Sequence, residues 1–261
     1  MGIPWGIMVW TVSSPEKLLF HSPGPEGGVQ VVERQDRREM RFGNRVVQSA
    51  YAPGDPDHLL LQYTQAMMLG FVLAPQAHHV LHIGLGGGSL ARFIHRHFPQ
   101  VQQVAVDINA QAIQAAFEFF DLPRSPRLQV VHGEGRAFLA QARQQFDLIF
   151  LDAFLAEGAP VDEEEGAFWV LLAERLAPGG WLVNNAWTSD RSRLEARMAQ
   201  LKRMFGVRFV TKAGSASNVV LFASQVALAP SRAQMMEQAV LLSDSLPLDL
   251  NPWLARLKVW G

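Results

Sequence analysis

Three acids in this chain stand where an apolar run gives out. Asp107 closes residues 102–106 (QQVAV), Glu134 lies between Gly133 and Gly135 just after residues 127–131 (RLQVV), and Asp152 closes residues 146–151 (FDLIFL). A carboxylate at a strand end can accept from ribose hydroxyls, accept from a purine amino group, or bind an ammonium and take its proton. A lone acid in such a place is also a favoured helix N-cap. Upstream, residues 79–83 (HVLHI) run into Gly84, Leu85, Gly86, Gly87, Gly88 and Ser89. Glycine lacks Cβ, so the backbone can turn sharply there and a ligand can lie directly against it. A strand, a glycine turn and a helix open a nucleotide-binding α/β unit, and the helix N-terminus also suits a phosphate. Gly84 and Gly86 match the dinucleotide spacing, but Ser89 holds its last position. Three acids at successive strand ends beside such a loop describe an adenosine carrier, with one further carboxylate over a reacting centre.

Regular elements must bring these ends together. From residue 79 onward, β-like and helix-like runs alternate: strand 79–84, helix 88–98, strand 102–107, helix 110–119, strand 127–131, helix 135–143 and strand 146–151. A loop, helix 163–175, a turn at Gly179 and Gly180, strand 181–185, helix 189–204 and strands 207–211 and 218–223 complete the series. The link 212–217 is too short for a crossover helix, so the last two strands form an antiparallel hairpin. The expected fold is α/β: a doubly wound, mostly parallel, seven-stranded Rossmann-like sheet of the methyltransferase type, ending in that hairpin. Residues 1–55 read as a small N-terminal β-hairpin subdomain, and residues 56–261 as the Rossmann-like domain. Residues 57–72 read as one apolar helix ended by Pro75, and residues 231–261 as a helix, a Pro247–Pro252 segment and a short final helix.

Composition narrows the function. The 261 residues carry 49% hydrophobic side chains and a net charge of −1, so the core is large and no basic footprint for nucleic acid is present. There is no cysteine, which removes disulfides, thiolate nucleophiles and cysteine-based zinc sites and fits a cytoplasmic setting. The opening MGIPWGIMVW lacks a basic flank and is interrupted by Pro4 and Gly6, so no signal peptide is expected. No stretch is apolar for long enough to predict a membrane span. His78, His79 and His82 straddle a strand start, and His95 and His97 do not share a helix face, so no metal is expected.

Read in order, residues 45–49 (RVVQS), Tyr63, the Gly84 loop, Asp107, residues 133–135 (GEG), Asp152 and the strand from Asn218 resemble the spermidine synthases and the wider group of spermidine-synthase-like transferases. The resemblance runs from about residue 29 to residues 247–250 (PLDL). It implies that Gln48, Asp107 and Glu134, with Gly84, Gly86, Gly87, Gly88 and Gly135, hold the adenosine part of a sulfonium co-substrate, either S-adenosylmethionine or its decarboxylated form. Asp152 takes the place of the catalytic carboxylate, and Tyr63 lines the site. The implied reaction is aminopropyl transfer to a small-molecule amine in polyamine biosynthesis, by a homodimer whose small β subdomain helps form the interface.

The chain departs from that family at three places. A second Asp three residues after the first is here Leu155, an Asp inside the glycine loop is here Gly87, and the helix pattern Tyr-His-Glu is here Tyr63, Thr64 and Gln65. Methyl transfer from S-adenosylmethionine to a small molecule is therefore the second reading. A non-catalytic nucleoside-binding protein is a third, disfavoured by Asp152 and Tyr63, and a dehydrogenase is the most distant. Residues 162–165 (DEEE) read as a capping box or as acids steering a cation, and Trp187 as a pocket wall or a packed surface residue.

Overall fold

The computed structural model describes residues 16–24, 28–43, 47–153, 163–188, 191–214 and 218–260. Its first unit is an antiparallel meander of β1 (Lys17–Ser22), β2 (Val29–Arg34), β3 (Arg37–Phe42) and β4 (Val47–Tyr51). Val29, Val31, Met40 and Tyr51 lie on its apolar face and pack against Ala112, Ala115 and Phe120.

Next come α1 (Gln62–Met67) and α2 (Gly70–Leu73), two short pieces in place of the single expected helix. Residues 66–73 are buried throughout. A Cβ on Gly70 would lie 3.0 Å from Val183 Cγ2 and 3.3 Å from Leu148 Cδ2, so this segment is pressed flat on the main sheet. A helix apolar on all sides is buried on all sides, and here sheet contact overrides a continuous helical register.

The alternating elements follow as read: β5 (His79–Ile83), α3 (Ser89–His97), β6 (Gln102–Asp107), α4 (Ala110–Phe119), β7 (Leu128–His132), α5 (Gly135–Gln141) and β8 (Phe146–Leu151). After α6 (Glu163–Arg175) come β9 (Leu176–Trp187), α7 (Arg191–Met204), β10 (Val207–Lys212) and β11 (Asn218–Ser224). The tail forms α8 (Arg232–Ser245), α9 (Asn251–Ala255) and β12 (Lys258–Val259). The sheet order is β12-β10-β11-β9-β8-β5-β6-β7. Strands β5 to β9 run parallel, while β11 is antiparallel to both β9 and β10. This is the expected seven-stranded arrangement, with the two-residue β12 added at the β10 edge. Gly179 and Gly180 sit within β9, where the pairing to β8 shifts register, rather than ahead of the strand. Among the described residues, no helix is long and apolar enough to cross a membrane.

Strand order reverses at β5, which has β6 on one side and β8 on the other. In such sheets ligands bind beyond the carboxyl ends of the strands at that switch point. Here those ends are Gly84 and Asp152.

The small sheet is fastened beside them. Tyr51 Oη donates to Asp121, and the buried Arg92 of α3 donates from Nη1 to the Phe120 carbonyl at 2.7 Å. Its guanidinium also lies 4.3 Å from the centre of the Tyr51 ring. Burial and Asp121 together push the Tyr51 phenol up to about 12, so it stays a donor. Replacing Arg92 with Leu keeps an apolar side chain there but removes the donor and the cation over the ring. Denaturant unfolding of Arg92→Leu is expected to show a loss of about 2 kcal/mol.

Candidate active site

The glycine loop is tied down by the first of the strand-end acids. Leu85 N and Gly86 N donate to Asp107 Oδ2 at 2.7 and 3.1 Å, and Asn109 N donates to Oδ1 at 2.8 Å. Asp107 does not cap α4. That role belongs to Asn109, whose Oδ1 accepts from Gln111 N and Ala112 N at 3.0 Å. Each carboxylate oxygen has two lone pairs, so Asp107 keeps accepting capacity after holding the loop. Next to it Ile108 is 70% exposed, a large apolar side chain left open at the rim. Glu134 stands at the N-cap position of α5, yet its side chain makes no capping bond, and it is exposed. A Cβ at Gly133 would meet nothing within 4 Å, whereas one at Gly135 would lie 2.6 Å from Ile83 Cγ2.

Strand β4 lies across the loop from the other side. Gly87 N donates to Ser49 Oγ at 2.8 Å. A Cβ on Gly87 would lie 2.8 Å from Ser49 Cβ and 2.9 Å from Phe120 Cδ1, and one on Gly86 would lie 2.7 Å from Ser49 Oγ. Gly88 is the left-handed residue from which α3 starts. Gln48, one residue before Ser49, is half-buried, and its carbonyl accepts from Tyr63 Oη at 3.4 Å.

Asp152 sits where β8 leaves the sheet. Its N donates to the Ile83 carbonyl at 2.9 Å, and a Cβ on Gly84 (φ +88°) would lie 2.4 Å from its carbonyl oxygen. Gly84 is therefore required twice, for its left-handed backbone and for this close approach. The Asp152 side chain is held by neutral donors. Asn185 Nδ2 of β9 donates to Oδ1 at 2.8 Å, Asn218 Nδ2 of β11 donates to Asn185 Oδ1 at 2.9 Å, and the single Tyr63 hydroxyl proton is shared between the Gln48 carbonyl and the Asp152 carboxylate. Burial pushes the Asp152 carboxyl up to about 6; the Asn185 and Tyr63 hydrogen bonds oppose this, and the charge of Asp107 adds to it. Burial and the neighbouring Asp152 raise the Tyr63 phenol well above its ordinary value, so Tyr63 stays protonated and donating. A carboxylate in this state is ionised at neutral pH and a stronger base than an ordinary Asp.

A small cavity opens beside these groups between α1, α3, β5 and β8. Ser49, Tyr63, Thr64, His82, Phe150 and Asp152 are among its lining residues. His82 is only 2% exposed, and burial pushes its imidazole down to about 4.

A model of the methyltransferase domain matches residues 80–180 of the chain. The polyamine aminopropyltransferase of Neisseria meningitidis is 32% identical over 239 residues, which is 90% of this chain and 89% of that protein. The chain belongs to the polyamine aminopropyltransferase family. It is thus a transferase of the spermidine-synthase type. The spermidine synthase of Thermotoga maritima superposes with a TM-score of 0.72 at 15% identity, covering 92% of this chain and 82% of that one. Human methyltransferase-like protein 13, solved with SAH, superposes with a TM-score of 0.63 at 24% identity over 77% of this chain and 95% of that one.

Within this aminopropyltransferase fold, the loop glycines, Asp107, Asp152, Tyr63 and Gln48 gather at one rim, with Glu134 at the head of α5 two strands away from β5. Sequence reasoning passed over Ser49 as a group touching the loop, Asn185 as the support of Asp152, exposed Ile108, and His82 as a cavity residue. Ser49 and Asn185 carry no local signal, because their partners lie far off along the chain. Ile108 could have been found as an apolar residue following a strand-end acid. Leu155 and Asp162, and the side chains of residues 163–165 and Trp187, lie outside the described residues.

Restoring the missing acid at position 87 meets the fold before it meets a ligand. Gly87→Asp forces Ser49 and Phe120 apart, so thermal unfolding is expected to show a destabilisation of about 1–3 kcal/mol. Adding Ser49→Gly should recover part of that loss.

Proposed function

We propose that this protein transfers a group from a sulfonium nucleoside to a small-molecule amine, with aminopropyl transfer as the family reaction. The observation that carries this reading is Asp152, a carboxylate of raised pKa held by neutral donors on the rim of the glycine loop. An alkyl amine has a pKa near 10, so freeing its lone pair at pH 7 costs about 4 kcal/mol. Asp152 binds the ammonium and takes its proton, and Tyr63 and Asn185 keep the carboxylate aimed. The freed nitrogen attacks the carbon next to sulfur, a C–N bond forms, and the C–S bond breaks with its electron pair left on a neutral thioether.

The residues present suit an adenosine carrier. Asp107 retains accepting capacity for ribose hydroxyls, and the uncommitted Glu134 carboxylate suits a purine amino group. Exposed Ile108 offers a flat base an apolar face. Gln48 lies on the strand beside the loop, and Gly84, Gly86, Gly87, Gly88 and Gly135 supply backbone without side chains. The small N-terminal unit, residues 1–55, and a homodimer belong to the same reading.

Gly87 favours a second donor. A fixed Asp about 4–5 Å from the carboxylate of ordinary S-adenosylmethionine would repel it by roughly 3–4 kcal/mol at an effective dielectric near 20. This chain lacks that charge, and Ser49 and Phe120 fill its space. Both the decarboxylated and the ordinary donor are therefore expected to bind, and methyl transfer is the alternative reaction.

Incubation with each donor and a cell extract separates the two. Methylthioadenosine in the mass spectrum marks aminopropyl transfer, and S-adenosylhomocysteine marks methyl transfer. Calorimetry that finds only the decarboxylated donor bound removes the second. Because Asp152 acts ionised, kcat/KM should fall as pH drops through about 6. Asp152→Asn should lose that acid limb and at least about 100-fold in kcat/KM.

A further inference from the structure

Helix α8 carries apolar side chains on both of its faces. Met235 and Ala239 are buried in the main core, and Leu242 packs against it. On the outer side Met236, Val240 and Leu241 are 53%, 49% and 56% exposed. A helix that is apolar all round is ordinarily covered all round. Three half-exposed large side chains on adjoining turns form a patch, unlike apolar residues scattered singly over a surface.

The two ends of the patch carry opposite charges. Arg232, Met236, Val240 and Asp244 stand four residues apart and form one ridge along α8. Arg232 opens the helix, and its Nη1 donates to the Leu254 carbonyl of α9 at 2.8 Å. That bond holds the guanidinium at the head of the ridge and leaves it further N–H groups to donate. Asp244 is exposed in the last turn and makes no ion pair among the described residues. The first turn of α8 holds no acid and the last turn no base, so both charges oppose the dipole of their own helix.

We propose that this ridge is where two copies of the chain meet, with their α8 helices antiparallel across a two-fold axis between Met236 and Val240. In that register Met236 of one copy lies against Val240 of the other, and Arg232 lies against Asp244 at both ends. Each carboxylate then sits beside the positive end of the facing helix and each guanidinium beside its negative end. A repulsion within the single chain becomes an attraction in the pair. Ridges four residues apart pack side by side when the helix axes cross at about −50°, the commonest helix crossing. Leu241, on the next ridge, lines the groove that receives the facing one. The order cation, apolar, apolar, anion is self-complementary when reversed, which is what a contact between identical copies requires. This face is separate from the small N-terminal sheet, which packs on α4 beside β6 and β7. Helix α8 packs on α2 and α9, and α9 reaches β10 towards the opposite edge of the main sheet. The contact is small, so the association depends on concentration.

Sedimentation velocity of the full chain at rising loading concentration should show one doubling of mass. Val240→Glu sets a carboxylate against Met236 of the facing copy, and Asp244→Arg sets two cations together at each end. Each should raise the dissociation constant for that doubling at least about tenfold. Both positions are exposed, so the thermal unfolding midpoint of the dilute protein should not fall. Arg232→Glu should lose the doubling as well, by setting two anions together. An equal mixture of Arg232→Glu and Asp244→Arg should regain it, because opposite charges then meet at both ends. A doubling unchanged in Val240→Glu, such as one held by the small sheet, overturns the proposal. So does a wild type that never doubles, or a mixture that stays undoubled while both variants are folded. Should Arg232→Glu not fold, Val240→Glu and Asp244→Arg decide the matter without it.

Discussion

Everything at the site depends on bare backbone meeting bare backbone where β5 and β8 end. Gly84 packs so closely on the Asp152 carbonyl that a single Cβ would enter it, and the Asp152 amide bonds the carbonyl of Ile83. That contact is possible only because the two strands are neighbours at the point where the sheet order reverses. It puts a loop suited to a nucleoside and a carboxylate suited to an amine on one rim. A larger residue at 84 would part the strand ends and separate the loop from the carboxylate.

The electrostatics of Asp152 follow from what surrounds it. Its supports are an amide, a second amide behind the first, and a phenol, none of them charged. Neutral donors orient a carboxylate and keep it ionisable while leaving its basicity raised by burial. A lysine or arginine in place of Asn185 would hold it as firmly but depress its pKa, which removes its value as a proton acceptor. The supports come from β9, β11 and α1, so the antiparallel end of the sheet serves the site as well as closing the fold.

Strand β4 meets the loop at Gly87. The Ser49 hydroxyl accepts the loop amide there while Phe120 fills the remaining space. The glycine loop and the docking of the small sheet thus meet at one residue. Arg92, Tyr51 and Asp121 hold that docking in place from behind the loop.

Much of the architecture was legible from residue order because alternation, glycine turns and strand-end acids are local signals. The parallel series, its closing hairpin and the positions of Asp107, Glu134 and Asp152 at or just past strand ends follow from spacing alone. Three features were hidden by weak or misleading local pattern: β12 is two residues long, β9 runs through Gly179 and Gly180, and the apolar run at 57–72 divides because it lies against the sheet on a buried face. Tertiary structure alone decided the partners. Ser49 reaches Gly87, Gln103 reaches His82, and Asn218 reaches Asp152 through Asn185, each across a gap in sequence that only sheet order closes. Spacing along a chain determines which face or end a residue occupies. What it touches there, and therefore its charge state and chemistry, is set by neighbours that the folded sheet brings from elsewhere.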